Sequence, residues 1–308
     1  MKMKRIALLL FLAFLPVCMT ALPADSVPFE LGADRRIYVQ CRINGCNRPL
    51  RFLLDTGATD VVLNSASPHT GGLACFDQVR VNNGANSVER VPATLPVQRL
   101  QLGRLTADSL VMLSVAYPPQ AWDGVLGLSF LQRYVVRIDY VSRMLYFYDP
   151  ATFRAPRSVA SYPFEYRLGV PAVKLMLEFD GQPYAVMLEL DTGSDRVLDL
   201  NTPFVGRHGL RGRQQPFALS CISGTTRTGG VLENVFFDAL CIAGFRLPRI
   251  PGALSSVTEG VQASDELDGV MGSNLLYRFN QTYDFSRRML YLEPNNYLYT
   301  PFYDFLQP

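Results

Sequence analysis

The sequence predicts an all-β chain of two similar lobes, each a closed or sandwiched β fold, which a pseudo-twofold axis can relate. Three observations predict it. Runs rich in β-branched and aromatic residues, with partial alternation, recur along the chain, while long helical periodicity is scarce. The chain repeats itself. Each copy of the repeat carries Asp-Thr-Gly at the end of an apolar run, as "LLDTGATDVVL" and again as "LELDTGSDRVLDL".

The first element is a leader. Residues 1–24 place Lys2, Lys4 and Arg5 before an apolar run interrupted by Pro16, followed by small and polar residues. This reads as a secretory signal peptide with cleavage near Ala21 or Ala24. The run is short for a membrane span and no later segment is long enough for one, so no integral span is expected in the mature chain. Cys18 stands where a lipid anchor would attach, but Val17 before it is too bulky for that processing. A periplasmic or secreted protein follows from this reading. Little room remains before residue 27 for a propeptide.

The first lobe is expected over 25–150. "RIYVQCRI" and "LRFLLD" read as strands joined at Asn44-Gly45, a pair that tolerates the positive φ of a tight hairpin turn. "GVLG" and the strand "RMLYFY" follow, with "LSFLQRY" between them as a short helix after a glycine. A linker over 151–160 leads to the second lobe, 161–308. There "SYPFEY" repeats "SVPFEL", and "EFDGQPYAVMLELDTG" repeats "RINGCNRPLRFLLDTG" with Asp180-Gly181 as its turn. "LDGVMGSNLLYRFNQTYDFSRRMLYLEP" repeats "WDGVLGLSFLQRYVVRIDYVSRMLYFYDP". Asp55 and Asp191 are 136 residues apart, and Asp123 and Asp268 are 145 apart, which predicts a loop insertion in the second half. The aromatic tail "NNYLYTPFYDFLQP" is expected to pack against the body.

Composition excludes several functions. The 308 residues hold Lys+Arg 29 against Asp+Glu 27, with no basic run that could track a phosphate backbone, so no nucleic-acid partner is expected. With only His69 and His208 and no zinc spacing among the cysteines, neither a metal nor another cofactor is expected. Gly-x-Ser-x-Gly and His-Glu-x-x-His are both absent, against a serine hydrolase or a metallopeptidase. Five cysteines lie beyond the leader. Cys221 with Cys241 is a plausible disulfide, and Cys41 with Cys46 a weaker one because a two-residue turn pairs 43 with 46.

The chemistry lies in the two motifs. Two carboxylates brought face to face cannot both ionise easily, so they share a proton and their pKa values split. One then takes a proton from water while the other donates one to a carbonyl oxygen, which is general acid–base hydrolysis of an amide. On "LLDTGAT", "LELDTGSD", "GVLG" and "GVMG", across 26–150 and 160–296, the chain resembles the aspartic peptidases of the pepsin/retropepsin superfamily. That resemblance implies the bilobal acid-protease fold with retropepsin-like β-barrel lobes. It also implies an aspartic endopeptidase acting on polypeptides, Asp55 and Asp191 as the catalytic pair, and Thr56 and Thr192 bonded across the axis. Gly57 and Gly193 would offer N–H groups to the carboxylates. Ser194 could bond an outer carboxylate oxygen, as Ala58 cannot. The apolar-apolar-Gly segments would buttress the loops bearing the aspartates. Since one chain holds both motifs, a monomer should be active.

The same resemblance implies a flap in each half. Residues 79–91, with Asn83 and Gly84, and 219–231, with Gly224 and Thr225, have the Gly and small polar residues for hairpin lids over a substrate. Leu53 and Glu189 stand two before their aspartates, so strand alternation turns them toward the same face. Glu189 either lines the substrate pocket or pairs with an arginine such as Arg51 or Arg196. Asp123 and Asp268 read as turn or helix-start carboxylates. The rival to the enzyme is a binding module on the same scaffold that holds an extended peptide without cutting it; a purely architectural repeat is a third reading.

Overall fold

The two motif strands are built alike. In the computed structural model, which describes residues 22–118, 122–156, 159–222 and 230–302, Ile37–Ile43 turns back into Leu50–Leu54 through Asn44 and Gly45, at φ 50° and 77°. The Cys46 N–H closes this turn on the Ile43 carbonyl at 2.8 Å. Val170–Phe179 turns into Gln182–Asp191 through Asp180 and Gly181, at φ 53° and 69°. Both turns need positive φ at two successive positions, which Asn, Asp and Gly tolerate best.

The first half forms a ten-stranded sheet and most of the second belongs to a thirteen-stranded one. The larger sheet also fastens the lobes together. Asp25–Pro28, Met144–Tyr148 and Val135–Asp139 of the first half lie beside Phe279–Asp284, Met289–Pro294 and Ala160–Arg167 of the second. At the seam Val135–Asp139 runs antiparallel to Phe279–Asp284, with Arg137 opposite Thr282. These two positions are 145 residues apart, the same offset as Asp123 and Asp268. The pseudo-twofold axis therefore passes beside this pair. The large apolar core runs under both lobes, from Ile37 and Leu54 to Leu190, Leu200 and Phe279, so the halves share one interior.

The helices are short. Leu128–Leu131 and Ser273–Leu276 each follow a glycine, as expected, and Thr202–Arg207 adds a turn of helix with Pro203 near its start. The nine extra residues of the second half are not one insertion. Asp55 to Gln78 spans 23 positions, whereas Asp191 to Ala218 spans 27, so part of the difference falls where Thr202–Arg207 sits and the rest lies further on. Ala160, given to the linker by sequence, opens the first strand of the second lobe.

Two sequence expectations are corrected. The five described cysteines are all free thiols. Cys41 is buried opposite Leu50 while Cys46 closes the turn, so the two do not face each other. Cys221 lies opposite Val231, and Cys241 lies opposite Arg246 at the other end of the same strand. At about 3.3 Å per residue along a strand they cannot meet. The tail does pack: the buried Arg278 guanidinium donates to the carbonyls of Tyr297 and Thr300 at 3.1 and 2.6 Å, and Tyr277 shares a hydrogen bond with Thr300. Residues 303–308 lie outside the described chain.

Candidate active site

Each motif strand ends against a short parallel strand, Gly124–Leu126 beside Leu50–Leu54 and Gly269–Gly272 beside Gln182–Asp191. The chain then passes under the motif loop, where the Leu128 N–H donates to Ala58 O and the Ser273 N–H to Ser194 O, each at 2.8 Å. Only glycine allows this crossing. A Cβ on Gly127 would lie 2.2 Å from Asp60 O, and one on Gly272 would lie 2.3 Å from Arg196 O. The apolar-apolar-Gly segments thus buttress the motif loops.

Asp123 and Asp268 precede strands rather than helices, which corrects half of their expected role. Their carboxylates accept the backbone N–H of Arg51 and Met187, at 2.8 and 2.9 Å, and pin each buttress to its motif strand. Ser67 and His69 complete the shell of Asp123, and Arg207 that of Asp268.

The two motif loops meet at the axis. Thr56 N–H donates to Thr192 Oγ1 at 3.0 Å and Thr192 N–H to Thr56 Oγ1 at 3.1 Å. Each hydroxyl then donates across to the other half, Thr56 to Leu190 O at 2.5 Å and Thr192 to Leu54 O at 3.0 Å. All the groups in this knot are buried, so every donor has a partner where an orphan would be costly.

The knot brings Asp55 and Asp191 together. Gly57 N–H donates to Asp55 Oδ1 at 2.7 Å, and Gly193 N–H to Asp191 Oδ1 at 2.8 Å. Ser194 N–H also donates to Asp191 Oδ1, while the Ser194 hydroxyl accepts the Arg196 N–H. A Cβ on Gly193 would lie 2.3 Å from the Asp55 carboxyl carbon, so the opposing loop presses against the carboxylate and requires glycine there. Each loop's glycine faces the other loop's carboxyl, Gly57 that of Asp191 and Gly193 that of Asp55, so the two acids share one site. Dense surrounding protein raises both pKa values although each side chain keeps some surface open to the cleft. Asp191 is pushed well above the usual range by burial, then by Asp55 and Glu189. Asp55 is raised by burial and held back by the Gly57 N–H and the Arg36 charge.

Glu189 joins this cluster. It is 3% exposed, on the cleft side of its strand, and Gly57 leaves room for it: a Cβ there would lie 2.8 Å from Glu189 Oε1. Burial, then Asp55, raises its carboxyl to about 8. Neither suggested arginine reaches it. Arg51 pairs with Glu30 at 2.8 Å, and Arg196 with the buried Asp199 at 3.1 Å. Leu53, its counterpart, packs with Tyr38, Val62, Val91 and Val125 in a separate apolar cluster, against which Tyr117 and Trp122 lie.

Several residues here carry no motif that would mark them. Arg36 pairs with Asp34 at 2.7 Å, lies 4.9 Å from the Trp122 ring centre, and reaches Gly193 O at 3.5 Å. The Tyr117 phenol is raised by burial and by the negative charges of Asp55 and Glu89, and its ring centre lies 5.3 Å from that of Trp122. The contacts of Arg36 with Trp122 and Gly193 join segments tens of residues apart.

The first expected flap is a hairpin, Gln78–Asn83 with Val88–Ala93. Its tip reaches the other lobe. Gly84 O accepts the Val261 N–H and Ala85 O accepts the Gln262 N–H, each at 3.0 Å. Asn83 is corrected: it lies on the solvent face with Val79 and Val81, while Val91 turns inward. The second hairpin pairs Ala218–Ile222 with Gly230–Ile242, and Gly224 and Thr225 at its tip lie outside the described residues.

Comparison with known proteins agrees with this geometry. A family model described as gag-polyprotein putative aspartyl protease matches residues 39–133, the stretch holding the first motif, flap and buttress. The structure of an aspartic proteinase from Irpex lacteus superposes with a TM-score of 0.54 at 12% identity, over 90% of this chain and 98% of that one. No curated protein sequence matches the chain. The family match supports the aspartic peptidase superfamily through residues 39–133, and the structural likeness shows the bilobal aspartic-protease fold.

Proposed function

We propose that this chain is an aspartic endopeptidase in which Asp55 and Asp191 activate a water held between them. What carries the reading is the facing pair of carboxyls, locked by the crossed Thr56–Thr192 bonds. Asp191, beside two other acids, keeps the shared proton, and Asp55, beside Arg36, is the ionised partner; the pair titrates as one unit. Asp55 takes a proton from the water as its oxygen attacks the amide carbon, and Asp191 donates to the carbonyl oxygen. Collapse of the tetrahedral species returns a proton to the leaving amine. No covalent intermediate forms.

The flap that bridges the cleft would exclude water and hold an extended polypeptide. The active unit is a monomer, and the leader sends it out of the cytoplasm. Digestion of an unfolded polypeptide by mature protein, with and without chelator, tests the reaction. Cleavage should resist chelation, stop in Asp55→Asn and Asp191→Asn, and yield to statine-type hydroxyl peptides that mimic the tetrahedral species. Full activity in either variant would refute the assignment.

A further inference from the structure

We propose that Glu189 forms an acidic subsite that selects a lysine or arginine side chain on one side of the scissile bond, opposite a subsite for a large apolar side chain. This rests on the peptidase reading and adds its substrate class.

Glu189 has no hydrogen-bond or ion-pair partner among the described residues, although it is almost fully buried. Its strand neighbours offer none: Ala172 stands opposite on one side and Val270 on the other. The little surface it keeps is at its carboxyl, and a carboxyl with so little water and no donor is poorly satisfied until a cation completes it. The groups facing it are Asp55 and Asp191, both acids. Arg36, whose charge is felt by Asp55, is engaged by Asp34.

The other wall has the opposite character. Leu53 lies between Tyr38 and Val125, which correspond to Ala172 and Val270 around Glu189. Tyr117, Trp122 and Val91 extend that wall with apolar and aromatic surface. The axis between Asp55 and Asp191 sets these walls on opposite sides of a bound peptide bond. Ala172 stands where the first lobe has Tyr38, so the side chain beside Glu189 is much smaller than the one beside Leu53. An ammonium or guanidinium entering there supplies the missing donors, and Glu189 releases its proton to solvent as the cation arrives. The same cation relieves repulsion within the three-carboxyl cluster.

The test uses uncleavable hydroxyethylene peptides, otherwise uncharged, with Phe on one side of the isostere and Lys or norleucine on the other, in both orders. Binding to the mature protein is measured by calorimetry at pH 7. The Lys peptide should bind about tenfold or more tightly than the norleucine one in one order, as expected for a charge-assisted bond. Glu189→Gln and Glu189→Leu should abolish that preference. Equal affinity in the parent, no binding by either peptide, or a preference surviving both substitutions would overturn the proposal. Cleavage of the matching amides is a separate readout. Lys-selective binding without cleavage would leave the subsite standing and remove the peptidase reading.

Discussion

Replacing Thr192 by Val keeps its shape and removes one hydroxyl from the knot between the lobes. That hydroxyl accepts the Thr56 N–H and donates to Leu54 O. Valine leaves both groups buried with that bond lost. At about 1–3 kcal/mol for each stranded buried group, the expected loss is about 3 kcal/mol. For a chain of this size, that lowers the melting temperature by about 5 °C. Thr56→Val should cost a similar amount, because its hydroxyl makes the mirror-image pair of bonds. The double variant should cost less than the two singles together by about 1 kcal/mol or more, since each single already disturbs the partner's geometry. Urea unfolding of the parent, both singles and the double completes the cycle. A loss well under about 1 kcal/mol for Thr192→Val, or strict additivity, would refute the idea that crossed threonine bonds hold the dyad.

Asp191→Asn should reduce peptide hydrolysis by about a hundred- to ten-thousandfold while the melting temperature at pH 7 holds or rises, because the replaced group resists ionising where it sits. A matched fall in stability would instead point to a structural role. Glu189 titrates near 8 in the folded chain against 4.5 for a free carboxyl, so the fold holds an extra proton between those values. Stability from this group is present below pH 4.5 and falls as pH rises toward 8, and Glu189→Gln should flatten that slope in denaturation at pH 5 and pH 8. A parent slope unchanged by the substitution would contradict the burial of the group. Gly260→Ala should loosen the first flap, since a Cβ there would lie 2.4 Å from Gly84 O and Ser87 N at a φ of 76°. Faster amide exchange at Val261 and Gln262 is the expected sign, and unchanged protection would tell against the docking.

The repeat made much of this legible. Asp-Thr-Gly, the tight turns and the apolar-apolar-Gly segments are local strings, and each forms in place what its residues favour. Glu189 was legible through alternation alone, since Asp191 fixed which face of the strand meets the cleft. The docking of Gly84 and Ala85 on Val261 and Gln262 was not, because it joins unlike segments of the two halves through backbone groups that carry no sequence signature. Arg36 and Tyr117 escaped for the same reason. Cys221 and Cys241 failed to pair on distance along a strand, which a reading of neighbouring strand-like segments does not measure, and Cys41 and Cys46 because the first is buried opposite Leu50 while the second closes the turn.

The seam at Arg137 and Thr282 bears on which halves can join. A first half released from the chain would expose Val135–Asp139 as an open strand edge. Pairing with a second copy of itself in this register would set Arg137 directly against Arg137, two like charges side by side on one face. In the native seam Arg137 meets Thr282 instead and finds an ion pair in Glu293 of the other half. Within its own half that guanidinium has only the looser contact to Asp139, at 3.7 Å, among the described residues, and the counterpart of Glu293 is the uncharged Tyr148. The edge therefore discriminates self from complement by charge, and a severed chain would find its missing half in preference to its twin.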